Sequence, residues 1–214
     1  MFSPVRHGRR GHLLFRRRTA LIAGVALLLI LPLFANAFAR TRSPIWPAGV
    51  VRVYDTSGMA ETVATAASRW NTSGAGVHFQ IVDDAKHADV IVRTDDADLF
   101  HRCGHDCLGY STSIGRAQHG RNVVILRESL AGPPRPLSVW VAAHELGHVI
   151  GLHHRSGHDC SVMSPRAFDT RCAPSLAHGE PTTDELACVP APSDVEVAAT
   201  LYGGAAASRD PRCR

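Results

Sequence analysis

His144-Glu145-Leu146-Gly147-His148-Val149-Ile150-Gly151-Leu152-His153-His154 is the stretch on which the reading of this chain turns. His144 and His148 stand four residues apart, and Val141, Ala142, Leu146, Val149 and Ile150 around them are apolar. The run is therefore expected to be a helix lying against a core. At about 100° per residue, positions i and i+4 are roughly 40° apart in azimuth and about 6 Å apart along the axis. Two imidazoles in that relation can share one ion, and zinc–nitrogen bonds of about 2.0–2.1 Å suit them. Glu145 projects about 100° round from His144, so its carboxylate can reach a water on the ion without being a ligand.

A catalytic zinc takes a third protein ligand and keeps an open position. His154 lies six residues past His148, and a continuing helix would carry it away from the ion. Gly151 removes that difficulty, because glycine can turn the chain sharply at a helix end. His153 competes for the same role, and the spacing after the glycine favours His154. A lone HExxH also fits a surface helix with two solvated histidines. The longer HExxHxxGxxH pattern, met by His144, Glu145, His148, Gly151 and His154, is far more specific.

Outward from this helix, Ser138 is a candidate N-cap after the breaker at 132–136, and the helix is expected to run to about Ile150. Upstream, strands are predicted over 50–54, 77–82, 88–93 and 122–127, with a short edge strand over 108–114. Val63, Ala66, Ala67 and Trp70 fall at i, i+3, i+4 and i+7 and predict a helix over 60–71. Residues 95–107 look like a polar loop. Downstream of Gly151 the chain is irregular to about Ser193, where Ser193 and Glu196 suggest a capping box. Val195, Ala198, Ala199 and Tyr202 mark one face of the last helix, which Gly203 stops. This order of elements predicts an α+β fold with the strands in one mixed, mostly parallel, twisted sheet.

The chain has 214 residues, 45% of them hydrophobic, enough for one domain with a real core. Its formal charge of +4 comes from the N-terminus. Six of the 23 basic residues lie in the first 39 positions, which hold no acidic residue; this leaves 17 basic against 19 acidic residues in the remainder. No basic domain surface remains to bind nucleic acid. The same N-terminus has the layout of a signal peptide over 1–39. An arginine-rich region ends at Arg18, an apolar run follows to Phe34, and Ala35-Asn36-Ala37 and Ala37-Phe38-Ala39 are small-x-small sites. An uncleaved membrane anchor is the alternative, although the apolar run is short for a span of about 20 residues. A linker over 40–49, a domain over 50–204 and a tail over 205–214 complete the expected organisation.

All six cysteines (Cys103, Cys107, Cys160, Cys172, Cys188 and Cys213) follow the leader, as expected for disulfides in an exported chain. Local spacing favours Cys103 with Cys107 and Cys160 with Cys172, which leaves Cys188 with Cys213 by elimination. A second zinc site from His101, Cys103, His105 and Cys107 is the rival. Asp95, Asp96 and Asp98 raise a calcium site against a solvated acidic loop. His78, His87, His119, His158 and His178 are expected to be solvated or hydrogen-bonded side chains.

The long motif resembles that of the metzincin metalloproteases. These carry a methionine turn after the third ligand, and Met163 in Cys160-Ser161-Val162-Met163-Ser164-Pro165 stands at that place. Thr200-Leu201-Tyr202-Gly203, the Val-Arg-Val strand and the helix ending Trp70-Asn71 resemble matrixin catalytic domains. The CSVMS stretch with Cys172 resembles snapalysin-type bacterial proteases, in which two such cysteines are bonded; this supports Cys160–Cys172. Snapalysins use aspartate as third ligand, where this chain has His154. Phe168 stands where astacins place a tyrosine. The resemblance covers about 50–203 and is loose outside the site.

The resemblance implies a secreted, monomeric zinc endopeptidase with one catalytic Zn2+, acting on protein or peptide substrates, with Glu145 as general base. It also implies that the edge strand over 108–114 pairs with an extended substrate. A secreted or anchored zinc-binding protein with little general proteolysis is the alternative, against which the intact Glu145 speaks. A narrow processing enzyme at the cell surface is a third.

Overall fold

Val51 and Val53, Val90 and Val92, and Val124 and Leu126 are buried at alternate positions of three short runs, the period a pleated strand imposes. A computed structural model of the chain, which describes residues 45–156, 160–167 and 188–205, folds these runs into neighbouring strands. They are β1 (Val50–Asp55), β3 (Val90–Thr94) and β5 (Asn122–Leu126). With β2 (His78–Ile81) and β4 (Gly109–Ser111) they form one five-stranded sheet in the order β2-β1-β3-β5-β4. The first four strands in that order are parallel, and β4 is antiparallel to β5 at the edge. The fold is α+β with a mixed, mostly parallel sheet, as the order of elements predicts.

Helix α1 (Ala60–Thr72) buries Val63, Ala66, Ala67 and Trp70, the face its periodicity marks. It packs on α3 (Pro136–Val149), the helix that carries His144 and His148. The Trp70 indole N–H donates to the Ala143 carbonyl at 2.9 Å. Two further helices are α2 (Asp96–Cys103) and α4 (Pro192–Tyr202). Among the described residues no helix is long and apolar enough to cross a membrane. The expected leader, Cys172, Cys213, Phe168, His158, His178 and the chain after residue 205 lie outside the described residues.

Several expectations are corrected. Residues 95–107 are not all loop: Asp95 caps α2 by accepting from the Asp98 N–H at 2.9 Å. Leu99 is that helix's one buried residue, so it shows too little apolar periodicity to be read. Ser138 is the third residue of α3 rather than its cap. The helix starts at Pro136, and the Ser138 hydroxyl oxygen reaches back to accept from the Arg135 N–H at 3.0 Å. In α4 the same role falls to Asp194, which accepts from the Ala191 N–H at 3.1 Å, so Ser193 and Glu196 form no box. The edge strand is three residues long.

The end of α3 is held from two directions. Trp46, just ahead of β1, donates its indole N–H to the Val149 carbonyl at 2.7 Å. Tyr202, the last residue of α4, donates its hydroxyl to the Ile150 carbonyl at 3.0 Å. These bonds satisfy carbonyls that a helix end leaves without partners. Trp46→Phe keeps the apolar bulk and strands the Val149 oxygen, at a cost of about 1–3 kcal/mol. At about 2–4 °C per kcal/mol for a chain of this size, a thermal melt should register the loss; an unchanged midpoint would show that the bond adds nothing.

Candidate metal centre

Helix α3 is buried along its whole length from Ser138 to Val149, because it lies between α1 and the sheet edge. His144 and His148 project from it into a cleft and are only 7% and 8% exposed. After Val149 the chain stops its helix and turns at Gly151, whose φ is +97°, in the region glycine enters without strain. Gly151 N–H donates to the His148 carbonyl at 2.9 Å, and Leu152 N–H to the Gly147 carbonyl at 3.0 Å. The reversal brings His154 back to the other two rings. One nitrogen or other ligand atom from each of His144, His148 and His154 lies within 4.8 Å of the others. It is the one such metal-ligating group among the described residues. His153 borders the cleft but does not belong to this group.

Tautomers follow from the second ring nitrogens. His144 Nδ1 is 2.6 Å from the Val162 carbonyl and His148 Nδ1 is 2.8 Å from the Leu152 carbonyl. A carbonyl only accepts, so each Nδ1 carries the proton and each Nε2 presents its lone pair. Burial, and after it the neighbouring His148 ring, pushes His144 down to about 3. Burial pushes His148 down to about 4, and lowers His154 as well. All three are neutral at pH 7, the state a metal requires. Nε2 of His144 and Nε2 of His154 are 3.2 Å apart. Two nitrogens bound tetrahedrally at about 2.0–2.1 Å are about 3.3 Å apart, so the pair fits a metal of that size.

Glu145 is 3% exposed, and its Oε2 is buried without a hydrogen-bond partner among the described residues. Burial pushes its carboxyl up to about 8. A bound cation nearby would work against that rise by favouring the charged form. An ionisable group held dry beside three neutral imidazoles fits a centre that binds a cation and moves a proton.

The methionine expected beneath the site is fully buried. A Cβ built on Gly147 would overlap the Met163 sulfur and reach Trp70 at 3.3 Å. Met163 therefore packs directly against the ligand-bearing helix, and Gly147 makes room for it. The segment before it does more. Val162, whose carbonyl orients His144, donates its N–H to Asp194 at 2.7 Å, and the Ser161 hydroxyl donates to the same carboxylate. Asp194 is completely buried, and burial raises its pKa. This relay from α4 through Ser161 and Val162 to His144 has no mark in the sequence, since it joins residues 32 to 33 positions apart. Asp194→Ala leaves the N–H groups of Val162 and Ala191 and the Ser161 hydroxyl without their acceptor. A loss of about 3 kcal/mol or more is expected, with metal affinity about 10–100-fold weaker. Chelator competition beside a melt measures both, and unchanged affinity would remove Asp194 from the support of His144.

The cleft, about 950 Å3 in volume, is floored by Trp140, Val141, His144, Glu145 and His148. Residues 108–114 line it on one side and Ser164 to Ala167 on another. Trp140 stacks on His144 with ring centroids 5.2 Å apart. Cys103 and Cys107 are joined by a disulfide at its rim, which ends the rival zinc site there, because bonded sulfurs cannot be thiolate ligands. Cys160 and Cys188 are each disulfide-bonded as well; the partners expected for them, Cys172 and Cys213, lie outside the described residues.

The acidic group on α2 is not assembled for calcium. Asp95 and Asp98 both pair with Arg93, Asp98 also accepts from Arg102 at 2.8 Å, and Asp96 accepts from the Glu128 N–H at 2.8 Å. His87 pairs with Asp84 at 3.1 Å, while His78 and His119 are exposed. Neither protein-family models nor curated proteins give a match to this chain.

Proposed function

We propose that this protein is a zinc-dependent metalloendopeptidase of the metzincin class. The observation that carries the proposal is the joint placement of the three neutral histidines and the dry Glu145 carboxyl on the floor of a cleft bordered by a sheet edge. Among the described residues three imidazoles and no fourth ligand come together. This matches a catalytic zinc more closely than a structural one, which is closed by four protein ligands. When bound, zinc would polarise a scissile carbonyl and lower the pKa of its water.

His144, His148 and His154 would hold the ion, with the Val162 and Leu152 carbonyls keeping the first two rings oriented. Glu145 accepts the proton of the attacking water at its carboxylate and passes it to the leaving amine. Among the described residues strand β4 is paired only with β5, and its other side would offer backbone groups to an extended peptide. Disulfide bonds at Cys103, Cys107, Cys160 and Cys188 support an exported protein working in an oxidising compartment. Digestion of a peptide library with and without a chelator tests the proposal. Cleavage that the chelator abolishes and zinc restores is expected; no cleavage under either condition would leave a metal-binding protein without this activity.

A further inference from the structure

Strand β4 passes so close to α3 that one of its residues has no space for a side chain. A Cβ built on Gly109 would lie 2.6 Å from Glu145 Oε1, 2.8 Å from Glu145 Cγ and 2.9 Å from Val141 Cγ1. All three are closer than a Cβ atom approaches its neighbours. Gly109 is not among the residues with positive φ, so its backbone conformation is open to any amino acid. Glycine is required here by space alone.

The strand cannot back away to make that space. Arg127 N–H donates to the Leu108 carbonyl at 2.9 Å, and Thr112 N–H to the Val123 carbonyl at 2.9 Å. Gly109, Tyr110 and Ser111 pair with Leu126, Ile125 and Val124 in between. Helix α3 is fixed by burial on its other faces. A methyl group at 109 therefore acts on the movable part, the Glu145 side chain. We infer that Gly109 is a positioning residue: the missing side chain is the slot that holds the Glu145 carboxyl against the edge strand, in line with the three-histidine centre. This rests on the endopeptidase proposal for its effect on turnover, but not for its effect on the carboxyl.

The test is Gly109→Ala in the full chain, with zinc content and melting temperature measured beside kinetics on a peptide substrate. Zinc is expected to stay at the wild-type ratio and KM to change by less than about threefold, while kcat falls about 10²-fold, the range for a misplaced general base. In a Glu145→Gln background the same change is expected to have no further effect, because residues acting as one unit are not additive. An equal loss in both backgrounds, or wild-type kcat, overturns the inference.

Cobalt substitution separates this from the endopeptidase proposal. The pH at which the Co2+ visible spectrum changes is expected to move in Gly109→Ala as it does in Glu145→Gln, whether or not any peptide is cut. A pH dependence identical to wild type overturns the role of Gly109. If Gly109→Ala does not fold, Gly109→Ala with Val141→Ala removes the 2.9 Å contact. Failure of that pair to give folded, zinc-binding protein also overturns it, since the clash would then not be local to Glu145.

Discussion

Replacing Glu145 by alanine is expected to leave one zinc per chain and remove nearly all cleavage of a casein-type substrate. The residue is no member of the three-histidine group, so deleting its side chain takes away no ligand. Among the described residues on the floor of the cleft no second acceptor is placed for the proton it would carry, because His144 and His148 turn their Nδ1 atoms to carbonyls and their Nε2 atoms to the proposed metal position. A positioned general base contributes about 10²–10⁴-fold, and kcat should fall by about that factor. Glu145→Gln is expected to behave alike, as it keeps the shape and loses the basicity. Metal analysis of the same samples completes the measurement. Undiminished cleavage with zinc retained would remove Glu145 from the mechanism.

Zinc itself is expected to stabilise the fold strongly, and the metal-free protein to have a narrow pH range. A ligand that binds only the folded chain at about 1,000 times its Kd adds about 4 kcal/mol. At about 2–4 °C per kcal/mol, zinc should raise the melting temperature by roughly 8–16 °C, and His148→Ala should abolish the rise. Without metal, His144 and His148 have folded values near 3 and 4 against an ordinary 6.5. Between those limits the unfolded chain takes up protons that the folded one refuses, so stability falls as the pH drops below about 6.5. Glu145 acts in the opposite sense. With a folded value near 8 against an ordinary 4.5, its contribution is present at low pH and is lost as the pH rises through about 8. The metal-free protein should therefore be most stable near pH 6.5, with limbs of about 1.4 kcal/mol per pH unit for each net proton. Glu145→Gln should flatten the alkaline limb and steepen the acid one between about pH 4.5 and 6.5, where Glu145 offsets one of the two histidine protons. Melts of the metal-free protein that are flat from pH 4 to 8 would contradict this account.

The centre was legible in the sequence to an unusual depth because its ligands obey local geometry. His144 and His148 share a helix face by the 3.6-residue period, and Gly151 reverses the chain so that His154 rather than His153 joins them. Strands β1, β3 and β5 and helix α1 announced themselves through alternating or helical burial of Val, Ala and Trp. Helix α2 did not, because a short helix with one buried residue is held by its cap and its arginine pairs, which leave no periodic trace.

What only the tertiary structure decided lies between elements remote in the chain. The Val162 carbonyl that sets the His144 tautomer is a backbone atom, common to every residue type and therefore without a sequence signal. Asp194 lies in the first turn of α4, and its burial against Ser161 and Val162 follows from how α4 docks. Gly109 lies in the expected edge strand, and only the packed structure makes it the place where the edge of the sheet comes against Glu145. Spacing along the chain determines which side chains share one helix face or one turn. The supports around them depend on distances across the fold, and those exist only after the sheet and helices have packed.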